Sequence, residues 1–215
     1  MQAIGIFGGT FDPIHFGHLR MAQELQQDLG LAEVRFIPAA NPPLRETPRT
    51  AAPLRAEMVR LAIAGNPAFH LDMRELARTG PSYTFDTLSE LRAELGPDAP
   101  LALLLGGDAF LGLTGWHRWQ ELPQLAHLVV AHRPGAVPDP AHLPPALQAL
   151  WQQSASTDSA ELHTCAAGKI FLQRITALDI SASAIRQALH QGRCPRYLLP
   201  EPVLEYLRTH QLYTA

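Results

Sequence analysis

The stretch that decides the fold is Ala3-Ile-Gly-Ile-Phe7 followed by Gly8-Gly-Thr-Phe-Asp-Pro-Ile-His-Phe-Gly-His18. Its first part is short and apolar, which predicts a buried strand. From Leu19 to Leu29, apolar residues recur at helical spacing. The loop between them has two adjacent glycines, which let a ligand approach the backbone, and the following helix N-terminus offers free N–H groups to an anion. The stretch therefore predicts a strand, a phosphate-binding loop and a helix.

Composition limits the class of protein before any motif is considered. The 215 residues are 47% hydrophobic and 17% charged, which is enough apolar material for a substantial core. A net charge of −3 argues against broad electrostatic binding of nucleic acid or of a membrane surface. The two cysteines, Cys165 and Cys194, form no recognisable disulfide or zinc framework, and no apolar run reaches membrane-spanning length. We therefore expect a single cytoplasmic domain.

Strands and helices alternate along the rest of the chain, which predicts an α/β fold with a Rossmann-like, doubly wound parallel sheet. One nucleotide-binding domain is expected to span residues 1–215, with a small C-terminal helical part at about 181–215. Further strands are predicted at 33–38, 69–72, 100–105, 127–131 and 169–172, and further helices at 54–65, 84–95, 180–189 and 202–212. Residues 136–168 lack sustained periodicity and are expected to form a variable excursion with one short helix at about 146–152.

The glycine loop does not match the known nucleotide-binding fingerprints, since it lacks both G-x-G-x-x-G and a Gly-Lys-Ser/Thr sequence. The pair His15 and His18 is more informative. Cationic histidines are disfavoured at a helix N-terminus, so a purely structural role there would be an unusual choice. The pair is therefore interpreted as side-chain donors to a bound phosphate.

A second candidate phosphate site is Ile180-Ser-Ala-Ser-Ala-Ile-Arg186. Ser181 is a natural N-cap, the next N–H groups would face an anion, and Arg186 follows one turn into the helix. An ordinary capped helix with a solvated arginine would give the same pattern, so this segment alone leaves both interpretations open.

Other candidate residues follow strands or lie in loops. Gly106 and Asp108 come directly after the most apolar strand, where open α/β sheets bind ligands, although an aspartate there can also be a helix N-cap. The segment around Trp116 and Trp119 has one ring that could stack on an aromatic ligand, and we expect Trp119 to be the core residue. His163-x-Cys165 lacks two further ligands at suitable spacing for zinc.

Three further polar residues have both a functional and an ordinary explanation. Asn41 and Arg45 could reach a ligand, but composition alone favours a solvated loop. Arg133, at the end of a predicted strand, could contact a phosphate group or simply cover the edge of the sheet.

Taken with its neighbours, Gly8 to His18 resembles the signature of the HxGH nucleotidyltransferase superfamily, and within it the chain is similar to the bacterial nicotinate-nucleotide adenylyltransferase family. The likeness runs nearly end to end, and its motifs are Pro42-Pro43, Gly80-Pro-Ser-Tyr-Thr-Phe-Asp-Thr87, Gly106-Gly-Asp108, Trp116-His117, Arg133-Pro-Gly135, Ile180 to Arg186 and Tyr197-Leu-Leu-Pro200. Leu44 departs from the family pattern, because many relatives carry histidine there.

The resemblance implies an adenylyl transfer from ATP to nicotinate mononucleotide in NAD biosynthesis, giving deamido-NAD and pyrophosphate. The predicted catalytic residues are His15, His18 and Arg186. The predicted ATP-binding residues are Gly8, Gly9, Thr10, Phe11, Gly106, Asp108, Arg133, Ser181 and Ser183. The predicted mononucleotide-binding residues are Asp12, Asn41, Arg45, Thr84, Trp116 and His117. Trp116 would stack on the pyridine ring, while backbone N–H groups near Thr84 and His117 would hold its carboxylate.

The chemistry needs no general base, because a phosphate monoester with a second pKa of about 6 is already ionised near neutral pH. Magnesium would accompany ATP through phosphate oxygens and water, with no metal ligand from the protein. The expected partners are the two small-molecule substrates, and the sequence does not determine the oligomeric state. Alternatives are a pantetheine-phosphate or nicotinamide-nucleotide adenylyltransferase and a nucleotide-sensing module without turnover.

Overall fold

A parallel β-sheet forms the centre of the protein, which is described by a computed structural model for residues 1–44, 47–132, 139–176 and 178–214. The strands are β1 (Ile4–Gly9), β2 (Glu33–Pro38), β3 (Phe69–Leu71), β4 (Leu101–Gly106), β5 (His127–His132) and β6 (Ile170–Arg174). They lie in the order β3-β2-β1-β4-β5-β6, and neighbouring strands pair in parallel. The predicted α/β, Rossmann-like fold is thereby confirmed.

Helices cover both faces of this sheet. They are α1 (Phe16–Asp28), α2 (Ala52–Ile63), α3 (Arg74–Ala77), α4 (Thr84–Leu95), α5 (Gly107–Leu111), α6 (Leu122–Leu125), α7 (Pro145–Ser154), α8 (Glu161–Thr164), α9 (Ala182–His190) and α10 (Glu201–Thr209). Alternate residues of the central strands enter opposite cores, since Leu103 and Leu105 pack in one and Leu104 in the other. This explains the unbroken apolar run of β4. None of the helices in the described ranges is long and apolar enough to cross a membrane.

The predicted strands and longer helices agree with the structure, with small differences at their ends. The last helix ends at Thr209 rather than at Leu212, and the excursion contains α7 and the short α8. Tyr83 is the N-cap residue of α4, and no side chain caps that end. Thr84 is already inside the helix, so its hydroxyl is one position too late to serve as the cap.

The topology places a crevice at one edge of the sheet. From β1 the chain continues to β2 on one side, while β4 on the other side of β1 leads on to β5. The helices after β1 and β4 therefore leave in opposite directions, and ligands of open α/β sheets bind at such switch points. The carboxyl ends of these two strands are Gly9 and Gly106. Both glycine motifs thus face the same crevice.

Candidate active site

The glycine loop after β1 is shaped by close contacts that only glycine permits. A Cβ atom on Gly9 would come within 2.8 Å of the ring of Phe11, and one on Gly17 would come within 3.0 Å of the ring of His15. Phe11 itself has a left-handed φ of 49°. A Cβ on Gly8 would meet no atom within 4 Å, so the backbone there is open to a ligand. The loop is therefore tight where it packs against its own rings and open at Gly8.

The two histidines of the loop form a stacked pair at the start of α1. Their ring centroids are 3.7 Å apart, and the backbone N–H of His15 donates to Nδ1 of His18 at 3.3 Å. Phe11 packs edge-on against His18 with centroids 5.2 Å apart. His15 is only 6% exposed, and its buried Nδ1 has no partner in hydrogen-bonding geometry. Packing therefore holds the pair in place, and Nδ1 of His15 keeps an unused hydrogen-bonding position.

Burial decides the protonation state of His15. Loss of hydration lowers the pKa of its imidazole from 6.5 to about 4. At neutral pH the ring is therefore uncharged, with one nitrogen as a donor and the other as an acceptor. A neutral histidine also avoids the unfavourable interaction of a cation with the N-terminus of α1. At neutral pH, His15 can therefore form hydrogen bonds to a ligand but does not carry a positive charge.

The N-terminus of α9 lies against the glycine loop, although the two are far apart in sequence. Nη1 of Arg186 donates to the carbonyl oxygen of Asp12 at 2.8 Å, and Nη2 donates to Oγ of Ser183 at 3.3 Å. The side chain of Ser181 caps the helix by accepting from the N–H of Ala184 at 3.2 Å. The structure thus brings together the two segments that the sequence proposes as phosphate sites.

A polar cavity of about 340 Å³ opens beside this contact. Its lining residues are Arg49, Ser183, Arg186, Gln187 and His190. Two guanidinium groups, with no carboxylate among the described lining residues, favour an anionic ligand.

Asp12 was predicted to contact the mononucleotide, but its carboxylate is already bonded within the protein. Its side chain is buried, its Oδ2 accepts from the N–H of Arg49 at 3.0 Å, and its Oδ1 accepts from the hydroxyl of Tyr213 at 2.5 Å. Each carboxylate oxygen thus has an internal partner. The observed contacts are those of a residue that fixes the loop, and a direct contact with substrate stays a prediction.

The residues predicted for the mononucleotide converge from two loops and one helix start. The N–H of Asn41 donates to Oγ of Ser82 at 3.0 Å, and the N–H of Ser82 donates to the carbonyl of Asn41 at 2.9 Å. Tyr83, next to the start of α4 at Thr84, stacks on the ring of His117 with centroids 4.2 Å apart. These contacts join the three segments into one wall.

The two tryptophans of that wall are more alike than the sequence suggests. Trp116 and Trp119 are both half-buried and both pack against the core cluster around Leu103. We expected Trp119 to be the core residue and Trp116 to stack on an aromatic ligand, and the burial of the two rings does not distinguish these roles. Leu44, at the position where relatives carry histidine, is 60% exposed.

On the side of β4, Asp108 is exposed in the first turn of α5, whereas Gly106 is the N-cap residue of that helix. The alternative role of Asp108 as an N-cap is therefore wrong. No atom lies within 4 Å of a Cβ added to Gly106, which leaves this strand end open. Arg45 and Arg133 lie outside the described residues. Among the residues that are described, no group of three His, Cys, Asp or Glu side chains converges as a metal site.

Sequence reasoning missed Arg55, a buried cation at the centre of these loops. It is 1% exposed, and it donates to the carbonyls of Thr10 at 2.5 Å, Thr50 at 2.9 Å and Ala39 at 2.6 Å. Burial lowers the pKa of its guanidinium, and the charge of Asp12 opposes that shift. The available signal was an arginine among the apolar residues of α2. Its role is to bind the loops after β1 and β2 to one another.

Glu75 is a second buried group that the sequence did not reveal. It accepts from the hydroxyl of Thr87 at 2.6 Å, and burial raises the pKa of its carboxyl group. Its other carboxylate oxygen, Oε2, is buried and has no hydrogen-bond partner among the described residues.

Comparisons with known proteins identify the family of the chain. The model of the Cytidylyltransferase-like family matches residues 6–188. A protein of Dechloromonas aromatica (strain RCB) described as "Probable nicotinate-nucleotide adenylyltransferase" is 49% identical over 212 residues, which are 99% of this chain and 98% of the relative. A protein of Halorhodospira halophila (strain DSM 244 / SL1) with the same description is 52% identical over 203 residues, covering 94% and 91%.

Among solved structures, the nicotinic acid mononucleotide adenylyltransferase of Plasmodium falciparum complexed with NaAD superimposes with a TM-score of 0.74. The superposition covers 99% of this chain and 98% of that one at 18% identity, so it speaks for the fold alone. The sequence relatives are far closer and span nearly the whole chain. The chain belongs to the nicotinate-nucleotide adenylyltransferase family, within the cytidylyltransferase-like group.

Proposed function

We propose that this protein transfers the adenylyl group of ATP to nicotinate mononucleotide, giving deamido-NAD and pyrophosphate in NAD biosynthesis. The observation that carries the proposal is the contact between the glycine loop and the start of α9, made by Arg186 on the carbonyl of Asp12. It joins a stacked histidine pair, an open glycine backbone and a helix N-terminus at one edge of the sheet. Such a combination suits a polyphosphate.

The reaction is a displacement at the α-phosphorus of ATP. An oxygen of the mononucleotide phosphate forms a bond to that phosphorus while the bond to the bridging oxygen of the β-phosphate breaks, and the bonding electrons leave with pyrophosphate. The attacking phosphate is already ionised, so no base is needed. The main work of the protein is to align two anions and to stabilise the charge that develops on the transferred phosphoryl oxygens.

The stacked histidines and Arg186 supply the donors in this proposal. His15 is neutral because its pKa is lowered to about 4, so it offers an N–H rather than a cation. Arg186 carries the permanent positive charge, and its position is fixed by the carbonyl of Asp12. Ser181 and Ser183 present the N-terminus of α9 to the pyrophosphate portion of ATP. His18 completes the set from the first turn of α1.

The acceptor would bind on the wall formed by the 80–84 loop and the segment at Trp116. An aromatic ring there suits a pyridine nucleotide, and backbone N–H groups near Thr84 and His117 would favour an acid over an amide. Asn41 extends the wall toward the ribose and phosphate. Arg45 and Arg133, which lie outside the described residues, are proposed as further contacts to the mononucleotide and to ATP respectively.

A divalent cation, for which we propose Mg²⁺, would neutralise part of the charge on the ATP phosphates. The cavity beside α9 is lined by guanidinium, hydroxyl, amide and imidazole groups rather than carboxylates. Such donors fit the phosphates and not the metal itself. The oxygens of ATP and water would therefore hold the ion.

A pyrophosphate-release assay tests the proposed function directly. With ATP as the donor, the protein is expected to use nicotinate mononucleotide well, and nicotinamide mononucleotide and phosphopantetheine at least about tenfold less efficiently. If the protein uses nicotinamide mononucleotide or phosphopantetheine more efficiently than nicotinate mononucleotide, the proposed acceptor is wrong. Binding of ATP without release in any of the three reactions would favour a sensing module.

A further inference from the structure

We infer that Tyr213, near the C-terminal end of the chain, is a positioning residue that holds the glycine loop in register with Arg186 through Asp12. The inference rests on the proposed function, because it assigns Arg186 to the phosphates of ATP. Its structural part depends only on contacts among described residues.

The hydroxyl of Tyr213 is directed into the phosphate-binding half of the site. It donates to Oδ1 of Asp12 at 2.5 Å. Its ring packs against the core cluster that contains Phe7 and Phe11. A residue at the end of the chain is thus inserted between the loop after β1 and the segment before α2.

The backbone of the tail is bent to make this contact possible. After α10 the N–H of Leu212 donates to the carbonyl of Leu207 at 2.9 Å, and Gln211 and Tyr213 both have left-handed φ angles, of 50° and 62°. Such conformations are unfavourable for residues other than glycine. The bend persists because the tyrosine ring and its hydroxyl bond are satisfied only in this arrangement.

Asp12 transmits the constraint to the catalytic side chain. Its carboxylate is held at both oxygens, by Tyr213 and by the N–H of Arg49, while its own carbonyl receives Nη1 of Arg186. A fixed side chain leaves the peptide of Asp12 little freedom to rotate. Without the phenol, Oδ1 loses its partner inside a buried site, and the carbonyl that orients Arg186 becomes free to move. Tyr213 therefore acts on the phosphates without touching them.

The test is the variant Tyr213→Phe in the full chain, since phenylalanine keeps the ring and removes only the hydroxyl. We expect kcat/KM for ATP to fall about tenfold, while KM for nicotinate mononucleotide stays within about twofold. The two constants should respond differently because Arg186 is assigned to the phosphates of ATP, whereas the acceptor wall around Trp116 is held by other contacts. General loosening of the fold would raise both KM values.

Tyr206→Phe is the matched control, because Tyr206 is another partly buried tyrosine of the same C-terminal region and stacks on His210. It should leave both kinetic constants unchanged. Equal losses in both variants, or unchanged kinetics in Tyr213→Phe, would overturn the inference.

A second measurement does not depend on adenylyl transfer. The dissociation constant of inorganic pyrophosphate, measured by calorimetry, should rise about fivefold in Tyr213→Phe and stay constant in Tyr206→Phe. If the wild type fails to transfer adenylyl groups but this difference is found, the proposed function is wrong and the positioning role stands. An unchanged pyrophosphate affinity in Tyr213→Phe would overturn the positioning role whatever the activity of the wild type.

Discussion

Protonation of His15 should destabilise the folded protein in mild acid. Its pKa is about 4 in the folded state, whereas that of an exposed histidine is 6.5, so between these values the unfolded chain binds a proton that the folded chain does not. Stability from this group is therefore complete above pH 6.5 and is lost as the pH falls toward 4. The full difference of 2.5 pH units corresponds to about 3 kcal/mol, of which about 2 kcal/mol is lost by pH 5.

Urea unfolding of the wild type and of His15→Asn, at intervals from pH 8 to pH 4.5, isolates this contribution. Asparagine does not titrate, and it is well accepted at the N-cap position that His15 occupies. Contributions of distant titrating groups cancel in the difference between the two proteins. The stability of the wild type relative to the variant should therefore fall by about 2 kcal/mol between pH 7.5 and pH 5.

A difference that stays constant over this range would refute the reasoning, because it would mean that the imidazole is hydrated in the folded protein. Titration of the imidazole resonances by NMR supplies an independent check. One histidine signal, absent from the spectrum of His15→Asn, should remain that of the neutral ring at pH 5. Saturating pyrophosphate should raise the pKa of this ring, since a nearby anion favours the imidazolium.

Three other substitutions test the remaining assignments. His18→Ala should lower turnover by about 10²-fold while the affinity for ATP changes less than about tenfold, as expected for loss of a donor to the transition state; near-normal turnover would remove His18 from the mechanism. Trp116→Ala should chiefly raise KM for the mononucleotide, and an unchanged value would place the pyridine ring elsewhere. Arg55→Met should lower the free energy of unfolding by about 3 kcal/mol, because several buried carbonyls lose their donor, whereas Arg60→Met on the exposed side of α2 should leave the melting temperature unchanged.

The fold was accessible from sequence because its strongest signals are local. The apolar run at 100–105, the strand-loop-helix pattern at Ile4–Leu29 and the Ser181 cap each depend on neighbouring residues only, and each is present as predicted. The juxtaposition of the first loop with Arg186 follows from motif and resemblance rather than from periodicity. Parallel strands then place both at the same edge of the sheet.

The contacts that hold the site together could not be predicted from local sequence. In the sequence, Arg55 looks like any polar residue on a helix. The three carbonyl groups to which it donates belong to residues up to 45 positions away. Tyr213 is 201 residues from Asp12, and nothing in its local sequence indicates a partner. Backbone carbonyls carry no sequence signal, so bonds that end on them become visible only when the chain is folded.

The buried Arg55 has a consequence for attempts to change which acceptor the protein uses. Its guanidinium joins the turn after β1, for which we propose contact with ATP, to the turn after β2, which leads into the loop at Asn41. The two turns therefore cannot be exchanged as separate modules. A chimera that receives the 39–50 loop of a relative should also need the first turn of α2 from the same relative. If chimeras with both segments are more active than chimeras with the loop alone, the specificities for the two substrates evolved together.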